Sequence, residues 1–329
     1  MRSREVHLIE RPQGLPVPEQ FRVVATEVPD PADGQLLVQN IYMSVDPAMR
    51  PRLAGAAALN EAMMGGAIGR VIKSRNTAFN VGDHVESMSG FREYFISDGK
   101  GLTRLDADGM PLVAYMSVLG LTGLTAYGGL LVIGALKDGE NVFVSAAAGA
   151  VGSVAVQIAK IKGCYVIGSA GSDEKCRWLK EDLGVDAAIN YKRGELRTSL
   201  KAAAPKGIDV YFENVGGEHL NAALPRMNAL GRIAVCGMIS AYNNFGAVSE
   251  PVTTLSNMIY NRITMRGFVF YEFEARRAQF LKDMKDWIRQ GRIKYRTTIQ
   301  EGIDAAPGAL IGLFSGANTG KMVVQLAKD

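Results

Sequence analysis

Residues 141–175 read NVFVSAAAGAVGSVAVQIAKIKGCYVIGSAGSDEK, and the rest of the chain is organised around them. Residues 141–145 are a short apolar, β-branched run that predicts a buried strand. Small residues follow, Ala146, Ala147, Ala148, Gly149 and Ala150, then Val151 and Gly152. Apolar residues at helical spacing come next, Val154, Ile158 and Ile161, and residues 165–169 predict a second strand. Strand, tight small-residue turn, helix, strand is a βαβ unit.

The turn is where a ligand can sit. A helix N-terminus offers a phosphate unpaired N–H groups and the positive end of the helix dipole, and small side chains leave the approach open. The pattern Ala147-x-Gly149-x-x-Gly152 is GxGxxG with alanine in the first place. Alone it is weak; after a strand and before a helix it reads as a dinucleotide-binding turn. The plainer alternative is a turn that only packs a helix tightly on a strand. The end of the second strand selects the nucleotide, because an NAD site usually carries Asp or Glu about 20 residues on to hold the ribose 2′-OH. Here the chain reads Gly168-Ser169-Ala170-Gly171-Ser172, with no carboxylate and with Lys175 one helical turn later. A neutral, hydroxyl-bearing end beside a cation suits a 2′-phosphate and predicts NADP(H). Asp173 is the opposing candidate, but Ser172-Asp173-Glu174 also reads as an N-cap followed by first-turn acids.

At 329 residues the chain has room for two domains. A hydrophobic content of 47% with 21% charged residues describes an ordinary globular protein. The net charge of +4 comes without a basic run or an arginine-rich helix, which argues against a nucleic-acid partner. No apolar stretch reaches the roughly 18 residues of a membrane span. The opening residues, MRSREVHLIERPQG, lack the apolar core and cleavage site of a signal peptide. Cys164, Cys176 and Cys236 have neither metal-ligand spacing nor the number for a disulfide framework. They read as buried free thiols in a reducing cytosol, so a cytoplasmic location is expected.

Before the central unit, residues 21–25, 35–45, 67–73, 82–87 and 91–95 predict short strands, with turn chemistry at 29–34 and 80–83. Such spacing suggests a small barrel or sandwich. Residues 116–131 predict a helix, but Gly120, Gly123, Gly128 and Gly129 weaken it, so close backbone approach is expected there. From 141 onward strands at 142–145, 165–169, 187–190, 210–213, 232–236 and 263–270 alternate with helices at 175–183, 195–204 and 217–227. This alternation predicts an α/β fold with a doubly wound parallel sheet. Residues 275–290 predict a long amphipathic helix, and the tail returns to short strands.

Several further pieces share one pattern: Ser44-Val45-Asp46-Pro47, Gly123-Leu124-Thr125-Ala126-Tyr127, Asn190-Tyr191, Glu213-Asn214-Val215-Gly216-Gly217, Gly231-Arg232-Ile233-Ala234 and Asn318-Thr319-Gly320-Lys321. Together with the central turn and Gly171-Ser172-Asp173-Glu174-Lys175, they resemble the zinc-independent medium-chain dehydrogenase/reductases. Within that superfamily they resemble the prostaglandin/leukotriene reductase and alkenal double-bond reductase family, which is curcumin reductase-like. The resemblance implies a GroES-like β-barrel domain (1–121 and 297–329) beside a Rossmann NADP-binding domain (122–296), with NADPH in the cleft and a homodimer whose edge comes from residues 248–271. It places Ala148, Gly149, Ala150, Val151 and Gly152 at the pyrophosphate, and Lys175 and Tyr191 at the 2′-phosphate with Ser172 beside them. Asn214, Cys236, Gly237, Met238, Ile239, Ser240 and Tyr242 would line the adenosine and nicotinamide ribose. Phe268, Val269 and Phe270 would contact the nicotinamide, and Asn318 would close over the cofactor. Tyr260 matches a tyrosine near the substrate carbonyl.

The residues give the zinc-free reading its own support. A catalytic zinc needs Cys or His ligands, yet His7, His84 and His219 lie far apart in the chain and none pairs with a cysteine. Where zinc-dependent relatives carry Gly-His-Glu, this chain reads Gly65-Gly66-Ala67-Ile68-Gly69. Without a Lewis acid, oxidation of an alcohol is hard, whereas an activated C=C bond accepts hydride at its β-carbon and gathers charge on the carbonyl oxygen. The expected activity is therefore NADPH-dependent reduction of the C=C bond of α,β-unsaturated aldehydes and ketones, a small-molecule reaction with Tyr260 or water as proton donor. The alternatives are a quinone oxidoreductase of the same superfamily and a non-enzymatic NADPH-binding protein. Tyr42, Phe91 and Tyr94 are candidates for the substrate pocket, as is Ala48, which stands where the family commonly has an aromatic. Each residue also has a plainer reading: Tyr260, Tyr42, Phe91 and Tyr94 as packing residues, Lys175 as a solvated helix residue, Asn318 as a loop cap, and Arg50 as a surface or interdomain ion pair.

Overall fold

Residues 141–175 fold as strand β1 (Asn141–Val144), helix α1 (Gly152–Ile161) and strand β2 (Tyr165–Ala170), paired in parallel. The structure is a computed structural model describing residues 1–244 and 251–329, so the start of the expected edge region at 248–271 lies outside the described residues. Four more strands extend the sheet: β3 (Ala187–Asn190), β4 (Ile208–Glu213), β5 (Met227–Val235) and β6 (Thr264–Gly267). All pair in parallel in the order β3-β2-β1-β4-β5-β6. This is the doubly wound dinucleotide order, with its reversal between β1 and β4. Connecting helices are α2 (Asp173–Glu181), α3 (Leu196–Ala203) and α4 (Gly217–Ala223). The strands read as nearly unbroken apolar runs because both faces are covered; Val142, Phe143, Val144, Val166, Ile167, Val210, Tyr211 and Phe212 have no exposed surface.

The glycine-studded segment before β1 is a helix, Leu121–Gly128, continuing into one π-helical stretch, Gly129–Ile133. Two of its glycines answer to aromatic rings. A methyl group at Gly128 would lie 2.2 Å from the Phe273 ring, and one at Gly129 would lie 2.3 Å from Phe268. Tyr127 in the same helix donates its hydroxyl to Asp283 Oδ2 at 2.7 Å and meets Phe280 edge-on at 5.7 Å, both on helix α5 (Arg277–Arg289).

The chain divides into two units, Ser117–Arg296 as above and a second built from Met1–Met116 with Thr297–Asp329. The boundary drawn from sequence at 121/122 thus falls at 116/117. The second unit has an antiparallel pair, Arg2–Leu8 with Phe21–Glu27, and a seven-stranded sheet. In that sheet Leu36–Ser44 pairs with Ala67–Ser74, Tyr94–Ser97 and the C-terminal strand Lys321–Gln325. Lys321 is buried; its Nζ donates to Val45 O at 2.8 Å and Met322 O at 2.9 Å and meets Asp46 at 3.2 Å. The Asn-Thr-Gly-Lys and Ser-Val-Asp-Pro motifs are therefore joined by an ion pair between a buried lysine and a partly exposed aspartate.

Three expected elements differ. The strand placed at 91–95 is Tyr94–Ser97, because Phe91 takes φ 58° and turns its fully buried ring into the core instead of extending. The run 263–270 is a strand only over Thr264–Gly267, after which Phe270–Arg276 coils into a 3-10 helix. Residues 116–131 are not one helix, since the chain is non-helical between Leu112–Tyr115 and Leu121–Gly128.

Candidate active site

The turn after β1 is tight because backbone meets backbone. A methyl group at Gly152 would sit 2.4 Å from Ala146 O and 2.8 Å from Ala147 Cα, so α1 can lie this close to the strand only with glycine there. Ala146 takes φ 48° to make the bend, and Ala147 N–H donates to Ser169 O at 2.8 Å, tying the turn to β2. Gly149 differs: a methyl group there would meet Ala146 O at 3.2 Å and nothing else within 4 Å. Among the described residues the N–H groups of Ala148, Ala150 and Val151 have no acceptor. Three such donors around an open glycine at the head of a ten-residue helix form a seat for an anion.

The ends of β2 and β3 form a second polar corner. Ser172 caps α2, its Oγ accepting from Lys175 N–H at 3.3 Å. Asp173 is already engaged by Asn190 Nδ2 at 2.7 Å and Arg193 at 2.5 Å, which favours the first-turn reading over a ribose-holding role. A methyl group at Gly171 would lie 2.9 Å from the Tyr191 hydroxyl and 3.4 Å from Lys192 Cε. Lys175 is half-buried; burial and then the charge of Lys192 lower its pKa, while Glu174 opposes them. Two ammonium groups that repel each other beside a hydroxyl are a fitting environment for a dianion. Lys192 was not singled out by sequence; its signal is the cation directly after Tyr191.

On the other side of the turn, at the ends of β1 and β4, lies a buried polar network. Glu213 at the end of β4 has no exposed surface, and its Oε1 accepts from Ser145 Oγ at 2.7 Å and Val215 N–H at 2.6 Å. Ser145 in turn accepts from Asn214: the backbone N–H reaches Ser145 Oγ at 2.8 Å and Nδ2 reaches Ser145 O at 2.7 Å. Burial raises the Glu213 pKa, and the neighbouring Tyr211 hydroxyl opposes the rise. Cys236 and Gly237 N–H both reach Glu213 O, at 2.8 and 3.2 Å. The loop that follows is held by Ile239 N–H to Asn214 O at 3.2 Å, Ser240 Oγ to Val215 O at 2.6 Å, and Met238 N–H to the Tyr242 hydroxyl at 3.3 Å. Burial pushes the Cys236 thiol up to about 12, which favours the protonated thiol.

Other expected residues are scattered. Phe268 packs edge-on to Phe212 at 6.1 Å, Val269 is exposed with its N–H on Glu272 Oε1 at 2.9 Å, and Phe270 opens the 3-10 helix. Tyr260 ends the helix Asn257–Tyr260 with 80% of its surface exposed, not packed as its plainer reading has it. In the other unit, Asn318 Nδ2 donates to Gly320 O at 2.7 Å. Tyr42 is buried, and burial and then the Asp329 carboxylate push its hydroxyl up to about 12. Phe91 has no exposed surface, Tyr94 accepts from Gln39 Nε2 at 3.0 Å, and Ala48 is exposed before the helix Met49–Ala54. Arg50 is no surface ion pair; it is buried and donates to Pro12 O at 3.1 Å and Gly14 O at 2.7 Å.

Two family models match, one described as the N-terminal domain of oxidoreductase over residues 4–105, the other as zinc-binding dehydrogenase over residues 150–287. Bovine (Bos taurus) prostaglandin reductase 1 is 44% identical over 317 residues, 95% of each chain. The NADPH-dependent curcumin reductase of Escherichia coli is 39% identical over 338 residues, spanning 100% of this chain and 98% of the relative. This chain belongs to the prostaglandin, curcumin and alkenal reductase family of the medium-chain dehydrogenase/reductases. Among solved structures, CurA from Vibrio vulnificus in complex with NADPH superposes with a TM-score of 0.94 at 39% identity, covering 99% of this chain and 100% of that one.

One family description mentions zinc, yet among the described residues no three His, Cys, Asp or Glu side chains converge as a ligand set. In this reductase His7 pairs with Glu5 Oε2 at 3.3 Å, and His219 shares a hydrogen bond of 3.1 Å with Ser169 Oγ. Burial lowers the His219 pKa from 6.5 to about 4. Between those values the unfolded chain binds a proton that the folded chain does not, so stability falls as pH drops through that window. Between pH 7 and pH 4, denaturant titration should show the wild type losing about 3 kcal/mol more than His219→Gln. Parallel losses would mean that His219 charges freely in the fold.

Proposed function

We propose that this chain is a reductase that saturates the C=C bond of α,β-unsaturated aldehydes and ketones at the expense of NADPH. The observation that carries the cofactor choice is the corner at Gly171, where Ser172, Lys175, Tyr191 and Lys192 meet and Asp173, the acid considered for the ribose, is already paired. The substrate class is supported by the relatives: prostaglandin and curcumin reductases, and a 2-alkenal reductase of Nicotiana tabacum at 41% identity over 315 residues. A 2-alkenal is by its name a C=C bond conjugated to an aldehyde.

NADPH, when bound, supplies a hydride. The chain's own residues do the rest. The N–H groups of Ala148, Ala150 and Val151 would hold the pyrophosphate, and Ser172, Lys175, Tyr191 and Lys192 the 2′-phosphate. Asn214 and the loop carrying Cys236, Gly237, Met238, Ile239, Ser240 and Tyr242 would line the ribose, fixed from below by Ser145 and Glu213. Negative charge on the substrate carbonyl oxygen needs a donor and the α-carbon needs a proton, and the exposed Tyr260 hydroxyl is free to serve. Tyr260→Phe should lower kcat for enone reduction about tenfold, a modest figure because solvent reaches this side chain and can replace it. Its Kd for NADPH should stay within about twofold. An unchanged kcat removes Tyr260 from the mechanism.

Strand β6 supports a homodimer. All four of its residues are exposed at the sheet edge, and Ile259, Val269 and Tyr271 add exposed apolar surface on either side of it in the chain. Light scattering should find particles of twice the 35.4 kDa chain mass, and single-chain mass at micromolar concentration would contradict this.

A further inference from the structure

We propose that His219 is a positioning residue for the ribose 2′ corner, locking the ends of β2 and β3 together so that the Tyr191 hydroxyl stands over Gly171. His219 is the third residue of α4 and only 3% exposed. Its Nε2 shares a hydrogen bond of 3.1 Å with Ser169 Oγ, on β2 three residues before the capping Ser172. Its ring also meets Tyr191, just past β3, edge-on at 5.0 Å and 74°. One imidazole therefore contacts both strands that end at the corner.

The chemistry requires this residue type. Ser169 has no exposed surface, and its hydroxyl has no other partner among the described residues, so an apolar neighbour would orphan it. An aliphatic side chain would also give Tyr191 no polarised ring edge to pack on. The backbone aims the residue, since α4 is capped by Gly216 (φ 79°) and opens with Gly217 (φ 50°), positions suited to glycine. A methyl group on Gly216 would lie 3.0 Å from Met238 Cε, in the loop below the ribose. The segment 213–219 thus runs from the Glu213 network to the 2′ corner, and His219 is its far anchor. Tyr191 has a second tie, its N–H to Ala170 O at 3.2 Å, which holds its backbone but leaves its ring to His219.

This inference rests on reading the corner as the 2′-phosphate site, and the test separates the two. Calorimetry would give Kd for NADP+ and NAD+ with wild type, His219→Ala, His219→Phe and Lys175→Ala, alongside the Tm of each. His219→Ala should raise the ratio of Kd(NADP+) to Kd(NAD+) about fivefold, and His219→Phe, which restores only the ring contact, about twofold. In a Tyr191→Ala background, His219→Ala should no longer change that ratio. A drop in Tm with equal weakening of both cofactors, or no weakening of either, overturns the inference. If Lys175→Ala moves the ratio and neither His219 variant does, the corner stands and the inference falls. If Lys175→Ala leaves the ratio unchanged, the corner reading itself falls. Should His219→Ala fail to fold, His219→Phe alone decides, and an unchanged ratio counts against the proposal.

Discussion

Lys175→Ala is expected to raise the KM for NADPH about thirtyfold while changing the KM for NADH less than twofold, because only the 2′-phosphate distinguishes the two cofactors. The magnitude is that of one charge-assisted contact, about 2 kcal/mol. It should not be larger, because Lys192 shares the corner and retains part of the attraction. That Lys192 lowers the Lys175 pKa makes a second point. The like charges repel until a dianion arrives, so binding relieves a cost that exists only while both lysines are present; each single variant forfeits that relief along with its own contact, and the double variant should lose less than the sum of the singles. Steady-state kinetics with both cofactors checks this; equal effects on NADPH and NADH would assign the selectivity elsewhere.

Gly152→Ala and Gly149→Ala should fail in opposite ways. The added methyl at residue 152 meets backbone on two sides, at 2.4 and 2.8 Å, and neither atom is a side chain that can swing away. Stability should fall by about 3 kcal/mol, the upper end for overpacking. The methyl at residue 149 meets one carbonyl at 3.2 Å and otherwise open space, so stability should change by less than about 1 kcal/mol. It stands, however, where the backbone must approach a phosphate, and NADPH affinity should drop about tenfold or more. Urea denaturation and cofactor titration on both variants separate the effects. A stable Gly152→Ala protein, or a Gly149→Ala protein with unchanged affinity, would contradict the account of this turn.

The sequence was most readable where structure is local. The strand–turn–helix of 141–175, the cap at Ser172 and the six strands of the parallel sheet follow from periodicity and punctuation within a few residues of each site. The glycines at 128 and 129 announced close approach, but the approaching rings, Phe273 and Phe268, lie some way down the chain, and nothing local points to them. The same limit hid Lys192 and His219, because which cation joins Lys175 and which ring backs Tyr191 is set by how β2, β3 and α4 pack. Lys321 and Asp46 are a like case, their partnership visible only once the tail strand pairs with Leu36–Ser44. Phe91 misled for another reason. A β-prone aromatic run predicts a strand, and a left-handed backbone angle at its first residue moved the strand three residues on.

Hydride delivery to the β-carbon of a conjugated carbonyl is tested most directly by isotope. The chain is incubated in ordinary water with a 2-alkenone and NADPH dideuterated at the transferring carbon of its nicotinamide, and the product is read by NMR. One deuterium on the β-carbon, one solvent proton on the α-carbon and an intact carbonyl are predicted. Deuterium on the former carbonyl carbon of an allylic alcohol would contradict the reading, and so would turnover of quinones with no transfer to any enone.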